Sequence, residues 1–325
     1  MSFEIQIHPN SDFQEIRLAD KSNGNSITIV TKGGLLNEWL AEGVNAIIHG
    51  NDLSRGWGAF EMNGFKGGKM SPFSCRLANG QYQHEEHDYK IEKFYLGAHA
   101  LHGIQYDAVY SIESTHIDEY QASVILAYHY KGTDKGYPFP YSIHLKWTLK
   151  TNNIIVVTTA LTNHYHHAIP MMDGWHPYFQ LGNSIQDCTI QFKNKGKIEY
   201  DEQLLPTGKI FADDTFNEGK VLGNMHLDDC WMIDETAPNC TIQKEHQKII
   251  ITPIANYPYI QLYTPEDRKS IAIENLSAAP NCFNNKMMDP TTNTKSHKVS
   301  TVVNFRGVRG QAMTSHPTIR YNSTT

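Results

Sequence analysis

The stretch Tyr141-Ser142-Ile143-His144-Leu145-Lys146-Trp147-Thr148-Leu149-Lys150 alternates apolar and polar side chains along its whole length. Successive side chains of an extended strand point to opposite faces, so this pattern predicts a strand with one buried face and one wet face. Thr151-Asn152-Asn153 supplies turn residues, and the β-branched run Ile154-Ile155-Val156-Val157-Thr158-Thr159 follows, so residues 141–162 read as an antiparallel hairpin. Similar short runs recur at 26–31, 122–130, 248–252, 259–264 and 270–275, with a last one at 300–305. No long stretch carries a helical period. Many short strands punctuated by Gly, Asn, Asp and Pro predict an all-β fold, a large antiparallel β-sandwich.

The chain has 325 residues, of which 40% are hydrophobic and 19% charged, which suits a globular protein with a substantial core. All-β sandwiches often exceed 200 residues as one unit, and no repeat, linker or charge block marks a boundary. One domain is therefore expected over residues 1–306, followed by a polar tail at 307–325. A net charge of -6 argues against nucleic acid and against an anionic membrane surface as partners, and favours a neutral or mildly polar ligand. The five cysteines, Cys75, Cys188, Cys230, Cys240 and Cys282, are widely spaced and include no Cys-x-x-Cys pair. They read as reduced thiols in a cytoplasmic protein. The residues after Met1 show neither a basic nor an apolar leader pattern, and no stretch is apolar enough for a helical membrane span.

Three segments carry candidate chemistry: Leu101-His102-Gly103, Trp175-His176-Pro177-Tyr178-Phe179 and Ile273-Glu274-Asn275. Two imidazoles and a carboxyl group are the types needed for a general acid and a general base acting on one small substrate. Each has a bland reading beside the chemical one. His176, held extended by Pro177, fits a core histidine, and His102 fits a turn beside Gly103. Glu274 interrupts an apolar pattern, which is costly for a buried carboxylate unless it faces a polar cleft. Arg76 fits a surface strand as well as a donor to sugar hydroxyls, and Asp228-Asp229 fits a solvated turn. His84-Glu85-Glu86-His87 lacks the His-Glu-x-x-His spacing of a zinc site, and no Gly-x-Ser-x-Gly elbow is present.

Taken in order from about residue 72 to 305, these segments resemble the aldose 1-epimerase (galactose mutarotase) family. The run 72–82 containing Arg76 is similar to the family's arginine strand and turn, and Leu101-His102-Gly103 to its first histidine motif. Gly136-Tyr137-Pro138 matches the following loop, and 175–179 the second histidine motif, usually Asn-His-x-Tyr-Phe. Asp228-Asp229-Cys230-Trp231 resembles the aspartate motif, and Glu274 with Ala279-Pro280-Asn281 the glutamate motif. The chain departs at Trp175, where the family usually has Asn, and at Ile104, where it has a second glycine. These departures mark a divergent branch. The resemblance implies a galactose mutarotase-like supersandwich and an isomerase that interconverts α and β anomers of a free aldohexose without a cofactor or metal. It implies Glu274 as general base, His176 as general acid and His102 as a polarising group, with Arg76, Asp228, Asp229, Tyr178 and Trp231 binding substrate. The small-molecule sugar would be its partner, and the protein a monomer or homodimer. Three other readings stand beside it: a hexose-6-phosphate 1-epimerase using Lys66, Lys69 or Arg268, a non-catalytic carbohydrate-binding or sensing protein, and a glycosidase using Glu274 with Asp228 or Asp229.

Overall fold

The computed structural model describes residues 1–42, 45–53, 64–285 and 296–307. The tail expected after residue 307 lies outside them. Among the described residues the regular structure is β-strand with three short 3₁₀ turns, as the alternating pattern predicts.

The quoted stretch is the strand Tyr141–Lys150, paired antiparallel with Ile154–Asn163 in the register Lys150↔Ile154 to Tyr141↔Asn163. Asn152 and Asn153 make the turn at φ 62° and 56°, a left-handed conformation that Asn tolerates better than most residues. Tyr141, Ile143, Leu145, Trp147 and Leu149 are all buried. The opposite face is less wet than the alternation suggests. Ser142 and Thr148 are buried there too, and Ser142 Oγ is bonded by the His129 and His164 imidazoles.

This hairpin sits inside a nine-stranded antiparallel sheet, running Ser111–Ile117, Gln121–Tyr130, Tyr141–Lys150, Ile154–Asn163, Ser296–Gly307, Gln247–Ala255, Cys240–Lys244, Thr189–Gln191 and Lys220–Val221. A second sheet of eight strands runs Pro206–Phe211, Asn194–Tyr200, Asp228–Ile233, Tyr259–Tyr263, Ile271–Leu276, Gly174–Trp175 and Lys69–Met70, with Tyr178–Phe179 also pairing to Ile271–Leu276. A third sheet holds the N-terminal strands from Phe3–Pro9 to Asn45–Ala46.

One continuous apolar cluster joins all three sheets. The two larger sheets meet at Trp147 and Trp175, whose rings stand edge to face at 5.0 Å. The N-terminal sheet is tied on by two buried indoles that bridge sheets: Trp39 Nε1 donates to Asn153 Oδ1 at 2.8 Å, and Trp147 Nε1 to the Gly34 carbonyl at 3.0 Å. Gly34 cannot carry a side chain here, because a Cβ would lie 2.4 Å from Leu145. No helix among the described residues is long and apolar enough to cross a membrane.

Trp147 thus packs against one sheet and hydrogen-bonds another. Trp147→Ala is expected to cost about 3–5 kcal/mol, as large aromatic truncations in cores do. Urea unfolding checks this, and a loss below about 1 kcal/mol would contradict the bridging role.

Candidate active site

The strand Ile271–Leu276 pairs antiparallel with Gly174 (Gly174↔Leu276) and with Tyr178–Phe179 (Tyr178↔Ala272, Phe179↔Ile271). That register sets His176 directly opposite Glu274. Cross-strand neighbours on one face meet side chain to side chain. His176 Nε2 lies 3.2 Å from Glu274 Oε1, and both residues are almost wholly buried, at 5% and 1% exposure. On its other side Glu274 faces Gln261 of Tyr259–Tyr263, again as a direct register partner. The carboxyl group therefore sits on the sheet between an imidazole and an amide.

His102 completes the floor from a different segment. It has a φ of 58° and leads into Gly103, whose own φ is 77° and where a Cβ would lie 2.2 Å from the Ser71 carbonyl oxygen. The turn holds the His102 ring 5.0 Å from that of His176, edge to face, and 4.9 Å from Phe65. Tyr178 stacks on His176 at 4.9 Å with an 11° interplanar angle. A cavity of about 240 Å³ is lined by these groups together with Arg76, Asp228, Tyr263, Cys75 and Phe94.

Of the residues expected at the site, Glu274, His176, His102, Arg76, Asp228 and Tyr178 converge on this cavity. Asp229 and Trp231 do not. On the strand Asp228–Ile233, side chains alternate, so Asp228 and Cys230 share one face while Asp229 and Trp231 take the other. Asp229 pairs with Lys197 at 2.8 Å. Trp231 is 1% exposed, wedged 5.5 Å from both Phe192 and Phe216, with Lys197 over its ring. Adjacency in a motif had suggested binding roles that the two-residue period of the strand forbids.

The same alternation disposes of the Trp175 departure. His176 faces the polar cavity, whereas Trp175 lines a separate apolar cavity of about 40 Å³ together with Trp147, Val157 and Phe179. The basic residues considered for a phosphate are also absent from the lining. Lys69 is fully buried in an ion pair with Asp173, Arg268 donates to the Met225 and Gly223 carbonyls, and Lys66 donates to His49. Gln261 and Tyr263 were not anticipated. Their signal was Gln261, a lone amide within Tyr259-Ile260-Gln261-Leu262-Tyr263, whose Nε2 donates to Asp228 Oδ1 at 2.7 Å.

Burial dominates the electrostatics. It pushes Glu274 well above the ordinary carboxylate value of 4.5, and the neighbouring charge of Asp228 adds to the effect. Burial lowers His176 from 6.5 to about 4. His102 also falls well below 6.5, first through burial and then through His176 and Arg76. Burial raises Asp228, opposed by Arg76 at 3.9 Å and by the Gln261 hydrogen bond. The Cys75 thiol is pushed up by burial and by Glu274, so it stays protonated and is a poor nucleophile. Within the cavity His102 Nδ1 and Glu274 Oε2 have no hydrogen-bond partner among the described residues. Unpaired buried polar atoms are costly, and a polyhydroxy ligand would satisfy both. Among the described residues no group of three or more His, Cys, Asp or Glu side chains is arranged to hold a metal ion.

Comparison with known proteins gives the family and the fold. The family model described as aldose 1-epimerase matches residues 14–303. The uncharacterized protein YihR of Escherichia coli is 24% identical over 265 residues, covering 79% of this chain and 82% of that protein. Bifunctional protein gal10 of Schizosaccharomyces pombe is 25% identical over 237 residues, covering 65% of this chain but 31% of that protein. A galactose mutarotase-like protein from Clostridium acetobutylicum superposes with a TM-score of 0.82 at 16% identity, over 94% of this chain and 99% of the other. Galactose 1-epimerase from Lactobacillus acidophilus gives 0.77 at 18% identity, over 94% and 98%. The fold is thus that of the galactose mutarotase-like proteins.

A buried imidazole that resists protonation makes acid stability measurable. His176 has a folded pKa of about 4 below its ordinary 6.5, so its contribution is present above 6.5 and is lost as pH falls toward 4. Ring ¹⁵N spectra should show His176 uncharged at pH 5, and a midpoint near 6.5 would contradict its burial in this contact.

Proposed function

The chain belongs to the aldose 1-epimerase family, and from that premise we propose that it interconverts the α and β anomers of a free aldohexose, with Glu274 as general base and His176 as general acid. The observation that carries this reading is the buried cross-strand contact of 3.2 Å between these two groups, opening on a cavity that also holds His102, Arg76 and Asp228.

Ring opening needs one proton taken from the C1 hydroxyl and one given to the ring oxygen. Glu274 as carboxylate takes the first and becomes neutral. His176 as imidazolium gives the second and becomes neutral. The pair therefore holds one proton with the closed sugar and one with the open aldehyde, and differs only in where that proton sits. Rotation about C1–C2 and the same transfers in reverse close the ring on either face. Burial disfavours the charged arrangement, so the carboxylate is a stronger base and the imidazolium a stronger acid than either would be in water. His102 beside His176 would hold the ring-oxygen region, while Arg76, Asp228 and Gln261 offer donors and acceptors to hydroxyls. Tyr178 and Phe65 offer flat apolar surface to the faces of the sugar ring.

Three rival readings fare less well. A glycosidase would pair Glu274 with Asp228, which lines the same cavity, but the group in direct contact with Glu274 is the His176 imidazole. A hexose-6-phosphate substrate would call on Lys66, Lys69 or Arg268, none of which lines the cavity: Lys69 and Arg268 are engaged elsewhere, and Lys66, bonded to His49, lies over the Tyr178 ring at 5.9 Å from its centre. A binding or sensing protein would not require an acid and a base in contact. Five buried cysteines, none of them in a disulfide, support a cytoplasmic site for the reaction.

Anomer exchange followed by polarimetry or NMR on fresh α-galactose, α-glucose and glucose 6-phosphate tests the reading. Acceleration of a free sugar, with a loss of at least about 10²-fold in Glu274→Gln and in His176→Asn, is expected. Trp231→Phe should leave kcat and KM within about twofold, because Trp231 lies outside the cavity. Sugar binding without any acceleration would mean a sensor. In the pH profile, a second proton on the pair abolishes the base and loss of its one proton abolishes the acid. The acid limb should therefore lie near pH 4, and the alkaline limb well above the ordinary carboxylate value of 4.5.

A further inference from the structure

Behind the cavity lies a second set of buried charges, which the proposed chemistry does not use. Lys69 and Asp173 are both fully buried and form an ion pair. Lys69 Nζ also donates to Thr159 Oγ1 at 3.2 Å and lies 4.3 Å from the centre of the Trp175 ring. Tyr257 Oη donates to Asp173 Oδ2 at 2.6 Å. The Asp173 amide donates to Ser277 Oγ at 2.7 Å, and the Ser277 amide donates to the Asp173 carbonyl at 2.8 Å.

Their place in the fold gives these contacts a purpose. In the ladder that sets His176 opposite Glu274, Asp173 and Ser277 form the end pair, each three residues from the acid or the base. Lys69 pairs with Trp175 on the other side of the same strand. Next to it the His176 amide donates to the Gly68 carbonyl at 3.0 Å, and the Gly67 amide donates to the His176 carbonyl at 2.8 Å. The backbone of His176 is thus held by residues 67 and 68 on one edge, while Asp173 ties the same segment to Ser277 on the other. A slip of one residue along either ladder would turn His176 to the apolar side. Buried ion pairs seldom add stability over apolar packing, and their best-attested use is to specify one arrangement among several.

We propose that the Lys69–Asp173 ion pair, with Tyr257 and Ser277, is a positioning device that fixes the register of His176 against Glu274. The proposal rests on the acid and base roles argued above. None of the four residues lines the cavity, so they act through His176 and not on the sugar.

The double variant Lys69→Met/Asp173→Asn removes both charges, keeps similar volumes and leaves Tyr257 a polar partner. With far-UV CD confirming the fold, kcat is expected to fall at least about tenfold while KM stays within about twofold, because geometry and not sugar affinity is lost. The His176 titration, read from ring ¹⁵N shifts, should move up from about 4 toward 6.5. A folded double variant with unchanged kcat and unchanged His176 midpoint overturns the proposal. If wild type accelerates no sugar, the acid and base roles fall, and the His176 midpoint alone decides positioning. Should the double variant not fold, Tyr257→Phe decides. It removes only one hydroxyl from Asp173, and a kcat loss of at least about threefold at constant KM supports the device, whereas unchanged kcat and midpoint overturn it.

Discussion

The arrangement of the site depends on the register of one short antiparallel ladder, residues 173–179 against 271–277. Everything polar on its cavity face is placed by counting along it: His176 opposite Glu274, and Glu274 opposite Gln261 one strand further on. A sheet offers this placement at low entropic cost, because strands held in a core already have their side-chain directions set. The cost appears elsewhere, as ionisable groups forced out of water.

Those groups are tolerated because none is left alone. The Lys69 ammonium meets Asp173, Thr159 and a tryptophan face, and Asp173 meets Tyr257. Glu274 meets His176. The two clusters lie on opposite sides of one strand and differ in kind. The inner charges are paired with each other away from the cavity, whereas the outer cluster belongs to residues that line it. Only the outer cluster is placed to exchange a proton with something that enters.

The residues differed in how far the sequence alone revealed them. The hairpin at Tyr141 was legible because its apolar spacing is set by a period that needs no knowledge of the rest of the chain. Six further strands were located by the same means, whereas others of similar length, such as Phe3–Pro9 and Asn194–Tyr200, were not, and two-residue strands such as Gly174–Trp175 carry no period at all. His176, His102, Glu274, Arg76 and Asp228 were legible as an ordered set through family resemblance, while each alone fitted a bland reading. Trp231 and Asp229 entered with Asp228 through one motif, and a motif does not say which of its side chains share a strand face. Lys69 was considered as a partner for a phosphorylated sugar. Its partner Asp173 lies far along the chain, and only the fold brings them together. Gln261 could have been found by asking why an apolar strand spends one inward position on an amide.

The split between floor and rim has a consequence for how such a protein diversifies. Glu274 and Gln261 belong to paired strands of the eight-stranded sheet and His176 lies between two short strands of it, whereas Gly64, Phe94, Leu96 and Leu101 approach the cavity from turns and from strands of two or three residues. Insertions and substitutions in the rim alter the shape of the opening without disturbing a ladder. Changes in the floor must respect a register shared by several strands at once. Under the proposed function, sugar preference and proton chemistry would thereby fall under separate mutational control, so a library confined to the rim is the natural starting point for changing which ligand enters while leaving Glu274 and His176 where they are.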